Sequence, residues 1–300
     1  MIRARILPLL AALALCVSAF AADPKDPLRV AVIGASASAG FGCTYRVAKA
    51  DGEYMRSFRL IDMVECACDE LKLKTLDTSS GFFFFSPVKN GATAAKRARE
   101  FNPECVVALD FLFWYCYGDD GPSGEALKSE AERLEKLELG LKELESFAVP
   151  VLVGDIPNMQ RAVGKMLSAS QMPSADTLAK ANARLAAWAK DRANVRVLPL
   201  AAMQQSLMTT NSLEINGRKI VGTAETPLLQ RDELHPAPLG MAGLACAVAD
   251  AIKENAAEKA GDCAADPKAT IERAETTLKK IVRPAPKQPA SPAAPAGSAK

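Results

Sequence analysis

Short apolar runs alternate along the chain with longer stretches in which apolar residues recur at helical spacing. The first run, Leu28-Arg29-Val30-Ala31-Val32-Ile33, breaks at Gly34 and gives way to small residues as far as Gly42. An apolar run bounded by glycine reads as a buried strand. Residues 57–72 predict an amphipathic helix with Phe58, Ile61, Val64, Cys68 and Leu71 on one face. Lys74 to Asp77 predicts a weaker second strand. A loop is expected next, carrying Phe82 to Phe85 and then Asn90-Gly91-Ala92-Thr93, with a short helix from Ala94 to Phe101. Cys105-Val106-Val107-Ala108-Leu109 is a third strand, continuous and apolar as in a parallel sheet covered on both faces.

The alternation continues. Residues 125–147 predict a helix with Leu127, Ala131, Leu134, Leu141 and Leu144 near helical spacing, and 149–153 a fourth strand ending at Gly154-Asp155. Residues 175–192 are helical and 195–198 a fifth strand. Residues 212–222 read as an inserted hairpin with Asn216-Gly217 at its turn. Residues 237–257 form the last helix of this series. Strands alternating with such helices predict a three-layer α/β/α architecture with a mainly parallel five-stranded sheet. One domain is expected over 23–262, with an added helix at 263–282. The Pro/Ala/Lys-rich stretch 283–300 cannot bury a core and is expected to be disordered.

Composition changes this picture mainly at the front. Arg3 and Arg5 precede an apolar run from Ile6 to Val17, and Ala19-Phe20-Ala21 offers a cleavage site. Residues 1–22 therefore read as a signal peptide, which implies a secreted or periplasmic protein. Its removal leaves 35 basic and 35 acidic residues. With no basic run, neither nucleic acid nor an anionic membrane is an expected partner. Seven cysteines remain, Cys43, Cys66, Cys68, Cys105, Cys116, Cys246 and Cys263. An odd number cannot all pair with one another, and most are expected to be small core residues. One histidine and no pair of CxxC motifs offer no zinc ligand set, so neither metal nor cofactor is expected.

That one histidine, His235, lies in Asp232-Glu233-Leu234-His235-Pro236. Imidazole is the side chain that titrates between pH 5 and 8 without perturbation, so proton transfer by a histidine can occur only here. In an open parallel sheet, function gathers beyond the carboxyl ends of the strands. The first such end reads Gly34-Ala35-Ser36-Ala37-Ser38-Ala39-Gly40. This matches neither dinucleotide nor P-loop spacing. A serine on such a turn has an exposed hydroxyl and a backbone N–H near developing negative charge.

The strand-terminal Gly-x-Ser turn, the later Asn-Gly-Ala-Thr and the Asp-x-x-His before a helix together resemble the SGNH, or GDSL-type, hydrolases. The resemblance runs over residues 28–257 and implies a flavodoxin-like sheet. It makes Ser36 the nucleophile, His235 its base and Asp232 the residue orienting the imidazole, with the N–H groups of Ser36 and Gly91 binding the oxyanion. Two positions depart from the family. Ala35 stands where Asp is usual, and Ala108-Leu109-Asp110-Phe111 stands where an Asn usually donates to the oxyanion. The missing donor is then either Asp110 held protonated among Phe111, Phe113 and Trp114, or Asn158 past the fourth strand. The sequence leaves both open.

The resemblance implies hydrolysis of a carboxylic ester of a lipid, a sugar or a small acyl group through an acyl-enzyme. The alternatives are acyl transfer to carbohydrate and a binding protein disabled by Asp110. Asp110 and Asp155 end adjacent-looking strands and could pair, although such acids more often cap the next helix. The aromatic residues at 82–85 and 111–117 suggest an acyl pocket, a sugar platform or simply core packing.

Overall fold

The computed structural model describes residues 26–49, 52–68, 71–215, 217–255 and 266–281. The expected signal peptide, Cys263, the 283–300 tail and Asn216 lie outside the described residues. In chain order the elements are β1 (Leu28–Val32), β2 (Thr44–Lys49), β3 (Gly52–Ser57), α1 (Leu60–Ala67), β4 (Leu73–Asp77), α2 (Pro87–Glu100) and β5 (Cys105–Ala108). There follow α3 (Phe113–Cys116), α4 (Glu130–Glu145), β6 (Val151–Gly154), α5 (Ala175–Lys190), β7 (Val195–Leu198) and α6 (Leu200–Thr210). The chain closes with β8 (Ser212–Ile215), β9 (Arg218–Val221), α7 (Pro238–Asn255) and α8 (Pro267–Ile281).

Strands β4, β1, β5, β6 and β7 form one parallel sheet in that spatial order. This is the flavodoxin-like order, whose direction reverses between β1 and β5. The inner strands β1, β5 and β6 are covered on both faces, which is why they read as nearly unbroken apolar runs, whereas the edge strands β4 and β7 are only partly buried and carry polar residues. Val30, Val32, Val107 and Leu152 point to the face packed by α1 and α7, with Phe58, Met63 and Val248. Ala31, Val106, Ala108, Val151 and Val153 point to the other face, against Ala95, Leu137, Leu141 and Leu185 of α2, α4 and α5. Helix α8 packs on α1 and α7, where Arg273 donates to the Cys66 carbonyl at 2.7 Å.

Several local expectations are corrected. The helix expected over 57–72 starts only at Leu60, because Gly52–Ser57 pairs with Thr44–Lys49 as an antiparallel hairpin. Residues 125–129 are loop rather than helix, since Asp120 bridges Ala126 and the Gly121 N–H bonds the Glu125 carbonyl. The chain after β7 forms α6, an additional helix. The most consequential correction is that Asn90-Gly91-Ala92-Thr93 is not a loop. It lies within α2, which Pro87 opens at a position that needs no N–H. The hairpin at 212–221 is as expected.

Candidate active site

Strand β1 delivers the chain into a series of tight turns at its carboxyl end. The Ala39, Gly40 and Phe41 N–H groups bond back to the carbonyls of Ala35, Ala37 and Ser36. Gly34 is required here, because a Cβ would lie 2.3 Å from Asp110 Oδ1 and 2.7 Å from Ser38 Oγ. Asp110 arrives from the end of β5, the neighbouring strand, and sits under the turn. Its Oδ1 accepts from the Ala35 N–H at 2.9 Å and Ser38 Oγ at 2.6 Å. Its Oδ2 accepts from the Ala37 N–H at 2.9 Å and the Ser38 N–H at 3.1 Å. These four donors compensate a carboxyl group that is 7% exposed. They also bypass one residue: the Ser36 N–H has no acceptor among the described residues.

The histidine arrives from the other end of the chain. Residues 228–237 form a tight loop closed by the Leu229–Pro236 bridge, with the Gln230 N–H bonded to the His235 carbonyl at 2.9 Å and the Ala237 N–H to that of Leu228 at 3.0 Å. Asp232 Oδ1 accepts the Leu234 and His235 N–H groups, both at 3.0 Å. Its Oδ2 lies 2.7 Å from His235 Nδ1, and His235 Nε2 lies 2.8 Å from Ser36 Oγ. Burial alone would raise the Asp232 carboxyl. The hydrogen bonds from the His235 ring and from both N–H groups outweigh that and hold it below the usual carboxylate range. An ionised Asp232 accepts the hydrogen bond of Nδ1–H and so holds the proton on that nitrogen, leaving the Nε2 lone pair to face the serine hydroxyl.

Two further contacts set this loop against the serine turn. Gln230 Nε2 donates to the Phe41 carbonyl at 2.7 Å and to the Pro236 carbonyl at 2.9 Å. The Phe41 ring lies 4.7 Å from the imidazole. Glu233, at φ 56°, occupies the left-handed region uncommon for a residue with a side chain. Its carboxylate is gripped by Lys165 at 2.6 Å and by Arg161.

Ser36 and His235 open onto two cavities. The larger, about 260 Å³, is walled by Phe41, Gly81, Phe82, Phe84, Trp114 and Met166. The smaller, about 40 Å³, runs behind the pair between Leu109, Phe113, Met159, Leu200 and Gln204. The aromatic residues therefore divide. Phe111, Phe113, Tyr115 and Tyr117 are buried, while Phe82 is exposed at the larger cavity and Phe85 is exposed outside it.

The structure thus brings together Ser36, Asp232 and His235, and reassigns the remaining expected residues. Gly91 is the fifth residue of α2, where its N–H belongs to the helical ladder. Its lack of a side chain serves packing, because a Cβ would meet the Tyr115 hydroxyl at 1.9 Å. Asn90 donates to the Phe82 and Phe83 carbonyls and so secures the aromatic turn. Asp110 accepts through both oxygens beneath the serine and is not a donor toward an oxyanion. Asn158 is exposed, its Oδ1 accepting the Gln160 N–H at 3.0 Å in a local turn. Asp155 caps α6 through the Ala201 N–H and is not paired with Asp110.

A glycine that sequence reasoning passed over stands nearer the serine. Gly81 follows β4, and the Ser80 N–H bonds the Gly34 carbonyl at 3.1 Å, drawing this loop to the serine turn. Gly81 shares the larger cavity with Ser36, and its N–H has no acceptor among the described residues. The signal was its place at the carboxyl end of a strand of the sheet.

The described cysteines are all buried. Burial pushes the thiols of Cys43, Cys105 and Cys116 up to about 12, and that of Cys246 to about 11, so they are inert core residues at neutral pH. No described helix is long and apolar enough to cross a membrane.

No family model matches the chain, and no curated protein matches it. Among solved structures it is similar to a gut microbial diltiazem-metabolizing enzyme, at 10% identity and a TM-score of 0.48. That match covers 75% of this chain and 47% of the other, so the chain spans about half the length of that enzyme.

Proposed function

We propose that the chain is an exported serine hydrolase of the SGNH type that cleaves a carboxylic ester. The observation carrying this reading is the hydrogen-bonded series Ser36–His235–Asp232, with two backbone N–H groups lining the same cavity that have no acceptor among the described residues. Ser36 Oγ attacks the ester carbonyl carbon as its proton passes to His235 Nε2, and the Asp232 carboxylate stabilises the resulting imidazolium. The carbonyl oxygen, now an oxyanion, takes the free N–H groups of Ser36 and Gly81. His235 then gives its proton to the departing alkoxide, leaving the acyl group on Ser36. Water, deprotonated by the same imidazole, releases the acid and restores the serine. The reaction needs neither metal nor cofactor.

Asp110 in place of the customary asparagine does not oppose this chemistry. Its charge is already met by four donors, and Gly81 supplies the second N–H. The exposed rings of Phe41 and Phe82 at the larger cavity suit an apolar or ring-shaped alcohol portion. Residues 1–22 support export.

The test is labelling of the mature protein with a fluorophosphonate probe. The wild type is expected to label at Ser36, and Ser36→Ala and His235→Ala to lose labelling while still folded by circular dichroism. A folded wild type that does not label would sink the hydrolase reading.

A further inference from the structure

Seven large apolar side chains are exposed among the described residues, and four of them gather at one place. Phe41, Phe82 and Met166 wall the larger cavity over Ser36 and His235, and the Phe85 ring stacks on Phe82 with centroids 6.1 Å apart. From Phe85 the rings lead inward: Phe84 lies 4.2 Å from Phe85, and the buried Trp114 ring 5.5 Å from Phe84. Phe82 and Phe85 are the most exposed of the seven, at 68% and 70%. A cluster of this kind around an opening marks a surface that something apolar covers.

Three observations narrow what covers it. A dissolved ester seated in about 260 Å³ touches Phe82 but leaves Phe85, which lies outside the cavity, in water. The occupant is therefore larger than one molecule filling the cavity. Besides Ser36 and His235, the only polar side chain lining the cavity is Gln171, so most hydroxyls of a sugar polymer would go unpaired there. Charge supplies the third. On the Met166 side Glu233 faces Arg161 and Lys165, which leaves one positive charge over. Beside Phe85, Asp120 and Glu125 pair with Lys136 and Lys128, and Asp119 adds one negative charge. The rim is balanced and suits an uncharged surface rather than anionic headgroups.

We propose that this aromatic rim seats the protein on the surface of an aggregated, uncharged ester, a droplet or micelle, and that the cavity draws its substrate from that phase. The inference rests on the hydrolase reading. A protein partner on the same rings would close the opening to Ser36, whereas an ester phase supplies the cavity it covers. An ester molecule leaving the droplet passes from one apolar surface to another without crossing water. Phe85 meets the droplet, Phe82 is both rim and wall, and Phe84 and Trp114 line the way in.

The experiment uses tributyrin, a neutral ester that is dissolved at low concentration and forms droplets above its solubility limit. Ser36→Ala protein is expected to float with the droplets, since the rings and not the serine make the contact. Adding Phe85→Ser in that background is expected to cut flotation at least about fivefold, with an unchanged melting temperature. The wild-type rate is expected to rise at least about fivefold as droplets appear, and the rise to vanish in Phe85→Ser. Fluorophosphonate labelling of Ser36 in Phe85→Ser stays within about twofold of wild type, because the ring lies outside the cavity. Protein that stays in the aqueous layer, flotation that survives Phe85→Ser, or a rate that saturates smoothly through the solubility limit overturns the proposal. So does a dimer in sedimentation equilibrium that Phe85→Ser abolishes, since a second copy would then cover the rings. Labelling without flotation sinks only the docking, whereas absence of labelling sinks the hydrolase reading and this inference together.

Discussion

One anion and two cations are buried at the carboxyl edge of the sheet, and they hold neighbouring loops by opposite means. Asp110 lies beneath a turn whose unpaired groups are N–H donors, and it accepts from four of them. Arg133 and Lys136 reach from α4 to loops whose unpaired groups are carbonyls. Arg133 donates to the Cys116, Gly118 and Ser170 carbonyls, and Lys136 to those of Tyr117 and Asp120 and to the Asp120 carboxylate. The carboxylate has a short stem at a strand end, so it fixes its turn against the sheet. The cations have long stems from a helix and tie loop to loop. Burial pushes the Lys136 ammonium below the usual lysine range, and Asp120 partly restores it. The comparison shows why the serine turn uses an anion. Only an acceptor can saturate the N–H groups of residues 35, 37 and 38 while leaving that of Ser36 free.

The largest break in this comparison is removal of the anion. Asp110→Ala strands three N–H groups and the Ser38 hydroxyl, and is expected to cost about 3–5 kcal/mol in urea denaturation and to abolish Ser36 labelling. Asp110→Asn sharpens the point, because its NH₂ must face N–H donors. It is expected to cost about 2 kcal/mol and to slow labelling at least about tenfold. An Asn variant as active as the wild type would show that the charge under the turn does not matter.

Lys136→Met tests the other side. It removes a desolvated charge as well as three hydrogen bonds, so the two effects offset and the stability loss is expected at about 1–2 kcal/mol. Labelling of Ser36 should stay within about twofold, since the lysine holds a different loop. A labelling defect as deep as that of Asp110→Asn would show the two regions to be one unit.

The smallest stability effect belongs to Asp232→Asn, which also removes the partner of His235 Nδ1 and should slow turnover on the order of 10⁴-fold. The folded carboxyl is held below its unfolded value. Its contribution is therefore present above about pH 4 and lost as pH falls through the folded value. The melting-temperature difference between wild type and variant is expected to close below about pH 4. A constant difference down to pH 2 would remove the carboxylate from the account.

The inner strands of the sheet were legible because burial on both faces makes them nearly continuous apolar runs. Asp232 and His235 were legible because a residue and its partner three positions away must meet in a tight loop. Asp110 was visible as a strand-end acid, but its employment was not, since its donors lie 72 to 75 positions away. Asn90-Gly91 reads as a turn by local chemistry, yet Pro87 and the buried Ala94, Ala95 and Ala98 make it helix. Gly81 went unrecognised because its signal, a place past the end of a strand, is shared by the neighbouring residues of the same loop. Gln204 lies in a helix whose weak apolar stripe gave no sign of burial.

The hydrogen bond between Ser36 and His235 joins positions 199 residues apart. During synthesis the serine leaves the ribosome long before its base does, and Gln230 can secure the Phe41 carbonyl only once the histidine loop exists. The hydroxyl therefore has no imidazole to take its proton until nearly the whole sheet has assembled and α7 has docked. A chain caught part-made carries a serine with no imidazole beside it. Under the proposed hydrolase reading, reactivity of Ser36 is a readout of completed folding.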